Sequence, residues 1–300
     1  MTLAPAYLWP SLAALLISGL VARPLGRWGL VSLTAACASL LLPPLAAAAL
    51  AVAALLGAPK GEGRWGYGAA ALLLALFRVR VLYFMVLPAQ LGFWASLLCL
   101  VAVIAASQQL LAAEDGEGAA LALARGQAAW LAFGWSAAVP LGWSGALLLL
   151  WQQPLLRLPL ARVLVQSPGR VLLAGGLFLG LAGGPPLSAF NAYFQVLAPL
   201  MTEGAAVATM QARLYSSTGL LAVVAILALL YQTGAFGYFY WSRVLPVATA
   251  SDALGLRPLP QPWAWAALGL SLAWGLAEHF GGPGRVAYEA LRSINALPPS

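Results

Sequence analysis

The sequence predicts an all-α integral membrane protein, a polytopic bundle of about eight transmembrane helices with one discontinuous helix around residues 183–186. Three observations predict it. Hydrophobic residues make up 62% of the 300 and charged residues 8%, with a mean hydropathy of +0.89, whereas a soluble domain carries roughly a quarter charged residues. The apolar runs approach the ~20 residues that cross a hydrocarbon core, and the alternating ~10-residue segments of a barrel are absent. Finally, 32 residues between Arg170 and Glu203 contain no Asp, Glu, Lys, Arg or His and are broken midway by Gly183-Gly184-Pro185-Pro186. That run is too long for one simple crossing. A helix interrupted at membrane depth also frees backbone groups that protein or water must cover.

The expected spans lie near 6–22, 29–57, 66–87, 91–111, 127–151, 170–200, 218–242 and 262–281. The first is read as a retained span, because Arg23 and Arg27 follow its apolar stretch and no basic region precedes it. Pro43-Pro44 divides the second run, which reads as one long bent helix; a hairpin there would make nine spans. Between the fourth and fifth spans, residues 112–127 hold three acids and read as a solvated turn with a short helix. The stretch 246–262 reads as a proline-punctuated linker along the membrane surface. The tail from Pro283 reads as a short interfacial helix or a contact with a partner subunit. The whole of 1–300 forms a single transmembrane domain: residues 1–151 supply the N-terminal spans, 155–245 the discontinuous helix and its successor, and 246–300 the linker, last span and tail.

Charge settles orientation only weakly. Arg23, Arg27, Arg157, Arg162, Arg170, Arg243 and Arg257 fall on one side of this arrangement. Lys60, Arg64, Arg125, Arg213, Arg285 and Arg292 fall on the other, and the cluster at 157–170 favours the first side as cytoplasmic. The formal net charge of +7 is scattered singly over short loops, so no nucleic-acid partner is expected. Cys37 and Cys99 sit in apolar runs without metal or disulfide spacing, and His279 is the single histidine, so no metal site, haem or other cofactor is expected. No nucleotide loop or serine-elbow motif is present, and no catalytic residue is assigned. Bound lipids are expected.

Within the discontinuous segment, Gly176, Gly180 and Gly184 recur every four residues, which lets another helix approach closely, inside the bundle or from another subunit. Ser188, Asn191 and Gln195 follow i, i+3, i+7 spacing and share a face; they either line a hydrated cavity or bond neighbouring helices. Ionisable groups at depth mark proton paths, and most spans hold none. Arg78 and Arg80 interrupt the third span on nearly opposite sides, as interfacial side chains or as contacts to anionic lipid or a partner. Glu278 and His279 close the last span, where they suit an interface or a contact with a partner's channel.

GLFLGLAGGPPLSAFNAYFQVL, preceded by Ser167-Pro168 and followed by a long apolar helix ending in GYFYWSRV at 237–244, resembles the antiporter-like membrane subunits of respiratory complex I (NDH-1) and of Mrp-type cation/proton antiporters. The likeness covers 155–245. It implies a membrane subunit of a multisubunit assembly, with other membrane subunits as partners. The position matching that family's proton-carrying lysine is Tyr193, whose ordinary pKa of about 10 makes it a poor relay at neutral pH. The family's other buried lysine, histidine and acidic partner have no counterpart. The resemblance therefore implies a shortened structural or accessory subunit of a complex I-like, NDH-1-like or Mrp-like assembly, without catalytic chemistry of its own. The location would be a bacterial plasma membrane or a photosynthetic (thylakoid) membrane. The alternative is a stand-alone transporter or lipid-binding protein with a small-solute site at the break, where Ser188, Asn191, Tyr193 and Gln195 would be ligands. A lipid-modifying enzyme is a third and weaker reading, since the spans hold no acid, base or metal-ligand cluster.

Overall fold

The computed structural model describes residues 44–57, 72, 89–136, 140–166, 170–202, 217–247, 261–278 and 282–293. The first expected span, most of the second and third, Cys37, Arg78, Arg80, Ser167-Pro168 and His279 lie outside the described residues. Within them every regular element is helical. The helices are α1 (Pro44–Gly57), α2 (Ala89–Leu111), α3 (Gly116–Ser136), α4 (Pro140–Gln152), α5 (Leu158–Gln166), α6 (Val171–Leu181), α7 (Ser188–Thr202), α8 (Ser217–Phe239), α9 (Pro262–Ala277) and α10 (Pro283–Ser293). A π turn over Gln153–Arg157 joins α4 to α5, and another over Tyr240–Val244 extends α8. Two helical stretches, Gly92–Leu111 and Gly219–Val247, are long and apolar enough to cross a membrane, and Val171–Leu181 is a shorter apolar helix.

Two elements differ from the sequence reading. The acidic connection ends at Asp115, and α3 then runs unbroken from Gly116 to Ser136, buried along most of its length. Asp115 starts it: its carboxylate accepts the N–H of Gly118 at 2.7 Å, satisfying one of the donors that a helix N-terminus leaves without an intrahelical partner. Arg125, expected in a loop, therefore stands within the helix, where its guanidinium donates to Gln109 of α2. The expected crossing 127–151 is likewise two helices, α3 and α4, with α4 opening on Pro140. Proline lacks the N–H a continuing helix needs but suits a first helical position. The two pack closely at this join: Trp143 Nε1 donates to the Trp135 carbonyl at 3.0 Å, and a Cβ on Gly134 would lie 2.7 Å from that of Ala146.

The core falls into two apolar clusters. One gathers Leu100, Trp130, Phe133, Leu147, Val196 and Ala225, drawn from α2, α3, α4, α7 and α8. The other gathers Leu123, Leu160, Leu177, Phe178 and Phe236, where α5, α6 and the end of α8 meet. Outward faces remain apolar: Leu227, Leu230 and Trp241 of the α8 region and Trp263 and Leu270 of α9 are all at least 58% exposed. Bare hydrocarbon over that much surface is disfavoured in water and compatible with lipid or a partner. The terminal α10 is amphipathic. Ala287 and Leu291 turn into the core beside α4, leaving Arg285, Tyr288 and Arg292 outside.

Candidate functional site

Helix α6 ends at Leu181 and α7 begins at Ser188, so the chain is non-helical for six residues in the middle of the apolar segment. Covalent structure explains the stop. Pro185 and Pro186 carry no N–H to meet the carbonyls of Leu181 and Ala182, so the i to i+4 ladder cannot pass. Gly183, at φ +83°, takes the left-handed conformation that side chains disfavour and reverses the helix, while Gly184 N–H returns to Leu179 O at 2.8 Å as a C-terminal cap. The Pro185–Pro186 peptide is cis. Across the break runs α9, and Gly275 is what lets it: a Cβ there would fall inside the Pro186 carbonyl.

The three glycines of the expected packing face do not act together. Gly176 lies against Leu268 of α9, and Gly180 against Leu156 of the π turn and Leu187. Gly184 lies beyond the helix end, against Leu179 of the last turn. The neighbours of Gly176 and Gly180 are elements of this same chain.

The polar stripe divides between two neighbouring helices. Ser188 is buried and its hydroxyl pairs with Ser271 of α9 at 2.8 Å. Gln195 accepts a hydrogen bond from Ser144 of α4 at 2.7 Å, and Asn191 is half-buried. Gln195 Nε2 and Glu278 Oε2 lie 2.5 and 3.0 Å from the point a Cβ on Gly284 would occupy, so Glu278 sits at the junction of α7, α9 and α10. It is half-buried.

Tyr193 stands at the centre, 3% exposed. Its hydroxyl accepts a hydrogen bond from Gln127 Nε2 of α3 at 2.9 Å, and its ring meets Trp130 edge-on with centroids 5.3 Å apart. Trp130 in turn donates from Nε1 to Gln232 of α8 at 2.8 Å. Gln127 and Gln232 were not singled out by sequence reasoning. Their signal was available: glutamine inside an apolar run is expensive to bury, and buried amides have partners. Every side chain of this group is neutral at physiological pH. It can hold helices in register and orient dipoles; it offers no acid or base for transfer. Among the described residues no group of three His, Cys, Asp or Glu could hold a metal ion.

No family model matches the sequence, and no curated protein matches it. The all-helical fold resembles that of a chain in the structure of the Mrp complex from Dietzia sp. DQ12-45-1b, which superposes on it with a TM-score of 0.51. The match covers 95% of this chain at 13% identity, a likeness of fold. The present chain spans 65% of the length of that one.

Proposed function

We propose that this protein is a structural or accessory membrane subunit of a larger Mrp-like or complex I-like (NDH-1-like) ion-translocating assembly, and that it does not itself conduct protons. The observation that carries the reading is Tyr193. The position that resembles the family's lysine holds a buried phenol bonded to a neutral amide and packed on an indole. A relay through a bilayer needs groups that exchange protons near neutrality or a continuous line of water, and the Gln127–Tyr193 and Trp130–Gln232 pairs supply neither. The likeness of fold to a chain of the Mrp complex supports an assembly with other membrane subunits. The apolar outer faces of α8 and α9 suit lipid and neighbouring subunits. Partner chains would supply the lysines and acids of any ion path, and bound lipids are the expected small-molecule companions, in a bacterial plasma or thylakoid membrane.

Purification from native membranes in mild detergent tests this directly. The protein is expected to migrate in a large assembly with antiporter-type or redox partners. Vesicles containing the chain alone are expected to show no cation uptake driven by a pH gradient. Uptake by the isolated chain overturns the proposal.

A further inference from the structure

We propose that the bundle binds a small cluster of water molecules where the π turn after α4 abuts the break between α6 and α7, with the side-chain amide of Gln152 as its anchor. Gln152 is 0% exposed, and neither its Oε1 nor its Nε2 has a hydrogen-bond partner among the described residues. A primary amide brings two donors and one acceptor, and buried polar groups are as a rule met by protein or ordered water. An amide left wholly unmatched in a packed core points to a polar guest.

Position identifies where that guest lies. Gln152 immediately precedes the π turn Gln153–Arg157, and Leu156 of that turn lies against Gly180, as Leu187 also does. Its two methyl carbons are 3.2 and 3.3 Å from the point where a Cβ on Gly180 would sit, and Leu187 Cδ1 is 3.6 Å from the same point. Gly180 and Leu187 bracket the break, where Pro185 and Pro186 deny the carbonyls of Leu181 and Ala182 their helical donors. From another side, Gln127 brings a second unmatched atom: its Oε1 is buried without a partner, while its Nε2 holds Tyr193, whose ring edge lies against Gly183. Two buried amides from different helices thus carry unmatched polar atoms, one beside the turn that touches Gly180 and one bonded to the tyrosine that touches Gly183. Amides and carbonyls offer donors and acceptors without net charge, the pattern that water satisfies. The inference does not depend on the accessory-subunit reading, since a confined cluster serves a transporter and a scaffold alike.

Hydroxyl-radical footprinting by X-ray pulse, on the full chain in lipid nanodiscs, tests it because ordered internal water generates radicals in place. Trp151 and Leu156 flank the site, and Trp135 and Leu147 are equally buried elsewhere. Trp151 and Leu156 are expected to take up oxygen several-fold faster than Trp135 and Leu147. Gln152→Leu should abolish the difference, with the nearly isosteric Gln152→Met as the second variant should the first fail to fold. Equal slow labelling of both pairs overturns the proposal, as does a difference that survives both substitutions. A difference removed by exhaustive dialysis also overturns it, because the guest is then a solute and not water.

Discussion

Gln127 and Tyr193, 66 residues apart in sequence, are joined by one hydrogen bond of 2.9 Å that ties α3 to the first turns of α7 just past the break. The bond runs from amide to phenol, so the side chain occupying the resembled lysine position is fixed by a donor that does not ionise near neutral pH. Tyr193→Phe removes the acceptor and leaves the ring on Trp130. It should lower stability by about 1 kcal/mol, since the Gln127 NH2 loses its partner. Ion transport by the native assembly should stay within twofold of wild type. Both are measured on purified assemblies, by thermal unfolding and by dye-reported pH gradients in vesicles. A large loss of transport with the assembly intact would sink the accessory reading.

Two glycines of α9 should behave oppositely when changed to alanine. Gly275 lies on the Pro186 carbonyl, so Gly275→Ala forces α9 away from the break and should be destabilising by ~3 kcal/mol or more. Gly269 is exposed, and a methyl group added to its Cα would meet nothing within 4 Å. Gly269→Ala should be neutral or stabilising by up to ~1 kcal/mol, because alanine is the better helix former. Melting temperatures of the two variants in one detergent decide this.

How legible these features are in sequence depends on the range of the physics behind them. Proline's missing N–H and glycine's left-handed φ are local, so the turn between α6 and α7 can be reasoned from four consecutive residues. Helical, apolar character follows from composition. The join between α3 and α4 is harder, because Ala137-Ala138-Val139 before Pro140 is as apolar as the helices it separates and hydropathy passes through it without a dip. Asp115 misleads in the other direction: three acids suggest a solvated turn with only a short helix through residue 127, whereas one of them caps a 21-residue helix whose burial begins in its first turn. The pairs Gln127–Tyr193, Trp130–Gln232 and Ser188–Ser271 depend on which helices become neighbours, which no local pattern specifies. The glycine run fails for a related reason. Spacing of four places Gly184 on a helix face only if the helix continues, and it ends at Leu181.

The Ser188–Ser271 pair fastens the start of α7 to the helix that crosses the break, and both hydroxyls are buried. Ser188→Ala leaves the Ser271 hydroxyl only the Ser188 N–H, at 3.3 Å, and Ser271→Ala leaves the Ser188 hydroxyl without this partner, whereas the double variant removes both hydroxyls. A double-mutant cycle should therefore give a coupling of about 0.6 kcal/mol and at most about 1.7, the average and upper limit for interhelical polar contacts in membranes. A coupling near zero would mean that each serine bonds its own helix backbone equally well.

Asp115 offers a test of the hairpin that α2 and α3 form. Its carboxylate holds Gly118 N–H, and its carbonyl accepts from Ala119 N–H at 3.2 Å, so the first turn of α3 depends on it. Asp115→Ala removes the side-chain cap and the favourable negative charge at the helix N-terminus, which together should cost about 1–2 kcal/mol. Because Gly116 and Gly118 make this turn intrinsically poor at holding a helix, the loss should be felt locally. Amide exchange over residues 116–120 should accelerate roughly tenfold, as such a loss implies, while α8 and α9 exchange as before. Asp115→Asn retains an acceptor oxygen and should restore most of the protection, which separates capping from charge. Exchange rates unchanged in the alanine variant would show that α3 is held by its packing against α5, where Gly116 meets the Leu164 carbonyl, and not by its cap.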